Sequence, residues 1–250
     1  QAEGALRLAA IGKDLFPDIP VVVGGHDVSV RPAEYLGSLS GADIACIGEG
    51  ELTMLEIVRA RASGADVSKI PGVLTRNNRP GAGFTPRPPI ADLDSLPLPA
   101  YHLIDMEAYF SLYQRGYTDR PAWRYPGSER CVSLITSRGC PFGCIFCSIH
   151  LHMGRLWRAH SVDYVLRHLD FLVRHHGARH VHFEDDNLTL DQERFRRLLD
   201  GILAAGWPLT WDTPNGVRID TFTLELLAKS RESGCAYLVF GVESGSPRVL

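Results

Sequence analysis

The chain has 250 residues, of which 45% are hydrophobic and 22% charged, a balance that excludes an intrinsically disordered, collagen-like or mucin-like polypeptide. A net charge of -3 supplies no global basic field for nucleic acid or an anionic membrane, so a small-molecule substrate is the expected partner. No run approaches the ~18 consecutive apolar residues of a membrane span, and the opening QAEGALRLAAIGKDLF lacks the charged head and apolar stretch of a secretion signal, so a cytoplasmic location is expected.

The predicted elements begin with EGALRLAAIGKDLF, a helix that stops before Pro17, and continue with the β-branched run Val21, Val22, Val23, which ends at Gly24-Gly25. ADIACIG forms a second buried strand. Gly48-Glu49-Gly50 then leads into the helix ELTMLEIVRARASG, with Leu52, Leu55, Ile57 and Val58 as an apolar stripe and Gly64 as the stop. Strand, glycine turn and helix in series predict part of a doubly wound parallel sheet over residues 1–75. Nine of the 16 prolines fall between Pro71 and Pro126, where hydrophobic periodicity is weak. Residues 76–130 are therefore predicted to be a Pro-rich connector, with LDSLPLPAYHLIDMEAYF lying on a domain surface.

From Cys131 the alternation is better defined. VSLITS is a strand, and SVDYVLRHLDFLVRHHG is a helix with Ser161 as N-cap, Val165, Leu166, Leu169, Leu172 and Val173 on its apolar face, and Gly177 as its stop. RHVHFEDD, LTWDT and AYLVFGVES follow as strands, separated by the helices ERFRRLLDGILAAG and FTLELLAKSRESG. Four β/α units over 131–250 predict the start of a barrel whose chemistry lies at the C-terminal ends of its strands. The start at Gln1 and the interrupted strand and turn of GVESGSPRVL lead to the expectation of a fragment.

The six cysteines are unevenly placed: Cys46, Cys131 and Cys235 stand apart, while Cys140, Cys144 and Cys147 form CxxxCxxC directly after a strand. Thiolates are soft ligands for iron-sulfur clusters or zinc. Three of them on a four-iron cluster leave one iron open, whereas a closed zinc site needs a fourth ligand, for which His150 or His152 is available. Gly139 and Gly143 let the loop turn tightly, and Pro141 stiffens it.

SRGCPFGCIFCS resembles the signature of the radical S-adenosylmethionine superfamily, with Phe146 as the aromatic residue before the last cysteine. The resemblance implies that Cys140, Cys144 and Cys147 hold a [4Fe-4S] cluster whose fourth iron is chelated by S-adenosylmethionine, and that one-electron cleavage of a C–S bond yields a 5'-deoxyadenosyl radical. It further implies an acid at the end of the second strand for the methionine amino group. Glu184, Asp185 and Asp186 stand there in place of the family's Gly-Gly-Glu, with Asp185 and Asp186 as the chosen candidates. Arg218 in NGVRID is expected near the cofactor carboxylate, and Glu243 and Ser244 near its ribose. Such barrels have six strands, so the four found here predict weak cofactor binding by this chain alone. The family also implies an electron donor such as flavodoxin or ferredoxin.

VVVGGH, DIACIGEGE and the Pro-rich passage resemble the cobalamin-binding subgroup, which implies cobalamin near Gly24, Gly25, His26, Gly48 and Gly50. The histidine motif DxHxxG, which ligates cobalt in many cobalamin proteins, does not occur, and His26 reads as a loop residue near a ligand or surface. The expected function is a cobalamin-dependent radical methyltransferase. The alternatives are a radical cyclase without methylation and, from another class, a zinc-binding module. His150, His152 and His160, interleaved with Arg155, Trp157 and Arg158, read either as a cap over the site or as a solvated basic stretch. His168, His175, His176 and His180 carry no assigned chemistry; their position toward the end of a helix complements its dipole.

Overall fold

A computed structural model of the chain describes residues 2–37, 40–78, 84–114 and 128–248. It divides into two compact units, Gln1–Ala91 with Phe142–Arg155 and Asp92–Pro141 with Leu156–Leu250.

The first unit contains helices α1 (Ala2–Leu15), α2 (His26–Val30), α3 (Pro32–Tyr35) and α4 (Glu51–Ser63). Its sheet has the order β1 (Val22–Val23), β2 (Ile44–Cys46), β3 (Val73–Thr75). β1 and β2 are parallel as expected, but β3 runs antiparallel to β2, so the sheet is mixed. Gly72 sets this pairing. It lies at φ 81°, accepts from the Ile47 N–H at 2.8 Å, and would place a Cβ only 3.1 Å from Ile47 O. The core is small: Val28, Tyr35, Ala45 and Leu74 form one cluster and Ile44, Ile57 and Val73 another. The stripe expected on α4 is not buried as a whole. Ile57 is 2% exposed, whereas Leu52, Leu55 and Val58 are 41–54% exposed, because at about 100° per residue Leu52, Leu55 and Val58 stand on a different side of the helix from Ile57 and no single apolar face forms.

The expected connector is shared between the units. Its described part from Phe84 to Ala91 joins the first: Thr85 O accepts from Gly72 N–H at 2.8 Å and Glu49 Oε2 from Ile90 N–H at 2.6 Å. From Asp92 onward it joins the second, where Asp94 Oδ1 accepts from Ser161 N–H at 2.9 Å and Phe110 of α5 (Met106–Gln114) is buried. The connector prediction for 79–83 and 115–127 lies outside the described residues.

In the second unit four parallel strands stand in sequence order, β4 (Cys131–Leu134), then, after the antiparallel pair β5 (Ser137–Arg138) and β6 (Arg158–Ala159), β7 (His180–Phe183), β8 (Thr210–Val217) and β9 (Cys235–Phe240). Helices α6 (Val162–His176), α7 (Gln192–Ala205) and α8 (Leu224–Glu232) connect them. Parallel strands in sequence order with intervening helices are the arrangement of an opening barrel. Val132, Leu134, Val181, Phe183 and Trp211 from the sheet share one core with Val165, Leu169, Leu172, Phe195, Leu198 and Leu226 from the helices. Ser161 caps α6 by accepting from Tyr164 N–H, and Gly177 ends it in the left-handed conformation, both as predicted. His168 departs from its expected role. It is buried, its Nε2 lies 2.8 Å from Tyr101 Oη, and burial lowers its pKa to about 4, so it is neutral and does not complement the helix dipole.

Candidate functional site

Strand alternation sends one face of the second sheet into the helices, so chemistry in this unit has to come from strand ends and from the opposite face. Beyond β4 the chain passes through Thr136 into Ser137 and then into the cysteine loop. Asp185, just past β7, holds this junction. Its carboxylate accepts from Thr136 N–H at 3.0 Å, from Thr136 Oγ1 at 2.8 Å and from the Ser137 hydroxyl. Arg194 of α7 lies under the same turn, donating from Nε to His160 O at 2.9 Å and from Nη2 to Thr136 O at 3.2 Å. Burial pushes the Asp185 pKa up, opposed by the hydrogen bonds from Ser137 and Thr136 and by the Arg194 charge; burial pushes the Arg194 pKa down, opposed by Asp185. Expected as a cofactor contact at an outward strand end, Asp185 is instead 2% exposed and braces the strand that launches the loop.

Asp186 accepts from Gly139 N–H at 3.2 Å, with Gly139 at φ 83°, and Asn187 points its Nδ2 at Cys140 Sγ, 3.8 Å away. The Asn187 Oδ1 is buried and has no hydrogen-bond partner among the described residues. Cys140 and Cys147 are half-buried and Cys144 is exposed, all three as free thiols. Cys147 N–H donates to Cys144 O at 3.1 Å, which closes a turn that leaves Ile145 and Phe146 largely exposed. Gly143 has Arg155 Nη1 at 3.2 Å from where a Cβ would stand. Sequence reading missed Asn187 and Arg194 as working residues. The Asn directly after the paired acids was the available signal for the first, and nothing local marks the second.

The remaining expected contacts are dispersed. Arg218 pairs with Asp220 through Nε at 3.0 Å on the surface, and this guanidinium holds the Asp220 carboxyl below its ordinary range. NGVRID does not follow its strand, since Asn215 lies within β8 and donates from Nδ2 to Glu184 O at 2.8 Å. Glu243 is the one non-glycine at positive φ among the described residues, at 58°, and Ser244 Oγ accepts from Ser246 N–H at 3.0 Å. The left-handed region is uncommon for a residue other than glycine.

In the first unit, Gly24, Gly25 and His26 line a cavity of about 660 Å³ at the end of β1, within the range of small-ligand pockets. Gly25 takes φ 104°. The His26 ring stacks on His152 with centroids 4.0 Å apart, and burial, followed by the charge of His26, lowers the His152 pKa. Gly48, at φ 79°, donates its N–H to Ser29 Oγ at 3.0 Å, and Gly50 precedes α4 with Cys46 Sγ 3.7 Å from its absent Cβ.

Residues 134–250 match the model of the Radical SAM superfamily. An uncharacterized methyltransferase of Pyrococcus horikoshii is 33% identical over 246 residues, 98% of this chain and 50% of its own. A cytidylyl-2-hydroxyethylphosphonate methyltransferase of Streptomyces wedmorensis is 29% identical over 100% of this chain and 49% of its own. Curated relatives also include anaerobic magnesium-protoporphyrin IX monomethyl ester cyclases at 24 or 25% identity. The chain thus spans about half the length of the curated relatives it matches. The same fold occurs in the radical S-adenosylmethionine methyltransferase TsrM from Kitasatospora setae, solved with tryptophan substrate and an S-adenosylmethionine analogue (TM-score 0.71, 22% identity, 98% of this chain and 45% of that one). The CxxxCxxC loop that follows the first strand of the parallel β/α sheet lies inside the region, residues 134–250, over which this chain matches the Radical SAM superfamily.

Proposed function

We propose that the protein containing this chain is a cobalamin-dependent radical S-adenosylmethionine methyltransferase acting on a small molecule. The carrying observation is the extent of the likeness. The family model accounts for residues 134–250, whereas the two methyltransferases match 98% and 100% of the chain, so the likeness takes in the first unit as well.

The residues present fit the cofactors the family uses. Three free thiols in one loop are a soft donor set for a [4Fe-4S] cluster, and the buried Asn187 Oδ1 is an acceptor without a donor beside Cys140. When bound, the cluster and S-adenosylmethionine supply reductive C–S cleavage, and cobalamin supplies a methyl carrier. Cys140, Cys144 and Cys147 ligate as thiolates. Asp185 and Arg194 fix the loop's departure, Asn187 Oδ1 with Asp186 receives the cofactor's amino group, and Arg218 takes its carboxylate in exchange for Asp220. Glu243 and Ser244 hold the ribose, and Phe146 shields the last cysteine. Gly24, Gly25, His26, Gly48 and Gly50 give a corrinoid close access to the backbone. Six free cysteines fit a reducing compartment, which supports the cytoplasm and a donor such as flavodoxin or ferredoxin. No helix among the described residues is long and apolar enough to cross a membrane.

The full-length protein, reconstituted anaerobically with iron, sulfide and hydroxocobalamin, is expected to retain corrinoid through gel filtration and, once a low-potential reductant has brought the cobalt to Co(I), to transfer label from methyl-labelled S-adenosylmethionine to cobalamin. Loss of the corrinoid with 5'-deoxyadenosine still formed would remove the methyltransferase reading and leave a radical cyclase. Tight colourless zinc in place of iron would remove both.

A further inference from the structure

Cysteine and histidine side chains also meet where no motif pointed. Cys131 opens β4 and pairs in register with His180 of β7, two residues before His182, which itself pairs with Asp212 of β8. Alternation puts Val132, Val181 and Trp211 into the helix-facing core and turns Cys131, His180, His182 and Asp212 to the other face. There the Cys131 thiol and one ring nitrogen of each histidine lie within 4.8 Å of one another, the one such group among the described residues. Cys131, His180 and Asp212 are fully buried, and the His182 side chain is 17% exposed.

We propose that Cys131, His180 and His182 bind a divalent transition metal, zinc in the first instance, at a site separate from the cysteine loop. Thiolate with two imidazoles is a donor set suited to zinc, and three protein ligands leave a fourth position for water. The surroundings are those of ligating histidines. His182 Nδ1 lies 2.6 Å from Asp212 Oδ1 and His180 Nδ1 lies 2.7 Å from Thr210 Oγ1, so a carboxylate and a hydroxyl orient the two rings, and the other Asp212 oxygen lies 3.4 Å from His180 Nε2, the nitrogen that an ion would take over. A divalent ion would balance the thiolate and the Asp212 carboxylate, which makes their joint burial tolerable. All four groups stand on paired strands, so the geometry is fixed before any ion arrives. The site lies at the beginning of β4, whereas the cysteine loop follows its end.

The test uses the full-length protein carrying Cys140→Ala, Cys144→Ala and Cys147→Ala, so that loop thiols cannot contribute, titrated with cobalt(II). The expected result is about one equivalent bound with a thiolate-to-cobalt charge-transfer band that zinc abolishes. Cys131→Ser and His182→Gln should each remove the band, Asp212→Asn should weaken binding about 10- to 100-fold, and Cys46→Ser should change nothing. His182, the least buried of the group, covers the case in which Cys131→Ser fails to fold. No cobalt bound by a triple variant with native circular dichroism would overturn the proposal and leave a buried His–Asp hydrogen-bond network. So would an unchanged band in His182→Gln.

Discussion

Helices α4 and α6 both carry apolar residues at helical spacing, yet they end up in different situations. In the second unit α6 buries Val165, Leu169 and Leu172 against a four-stranded sheet with α7 alongside. In the first, α4 buries Thr53 and Ile57 and leaves Leu52, Leu55 and Val58 exposed beside strands of two or three residues. The apolar residues of α6 gather on one face and are buried together, whereas those of α4 spread round the helix, so that only one side can be covered. The second unit has one continuous core beneath the strand that leads toward Cys140, and the first has a cavity, glycine turns and two small core clusters.

That contrast is most exposed to a change beneath the loop. Asp185→Ala leaves three donors without their acceptor and removes the carboxylate charge that opposes the burial cost of Arg194, and is expected to cost about 3–5 kcal/mol in urea unfolding, with loss of bound iron. A cost below about 1 kcal/mol would show that the junction is not held from below. A second probe is acid. His168 titrates near 4 in the fold against an ordinary histidine value of 6.5, so the unfolded chain takes up its proton first as pH falls. Stability should be full above pH 6.5 and decline by about 3 kcal/mol on the way to pH 4, a limb that His168→Leu should flatten. Ser161→Ala, at the cap of α6, should cost about 1 kcal/mol by the same unfolding assay. Leu55→Ala on α4 should change stability by less than about 0.5 kcal/mol. A loss of 2 kcal/mol or more there would mean that the α4 face is covered in the intact protein, and the contrast would disappear.

The legible parts of the fold were those encoded locally. Ser161 and Gly177 marked both ends of α6, and the apolar Val165, Leu169 and Leu172 identified its buried face. The antiparallel return of β3 was hidden because it depends on Gly72 meeting Ile47, a contact between distant residues. At the candidate site, the three cysteines are singled out by their spacing alone. Asp185 did not, because a carboxylate at a strand end reads the same whether it faces a cofactor or the Thr136 backbone. Cys131 looked solitary for a similar reason: its neighbours His180 and His182 arrive through strand register about fifty residues later, beyond the reach of any local pattern.

The proposed function stands on Cys140, Cys144 and Cys147 holding a redox-active cluster. Anaerobic reconstitution of the full-length protein with iron and sulfide tests it most directly. Broad visible absorption that bleaches with dithionite is expected, and is expected to be absent from Cys140→Ala, Cys144→Ala and Cys147→Ala, each with native circular dichroism. Bleachable absorption persisting in all three variants, or a colourless wild-type protein holding zinc, would contradict it.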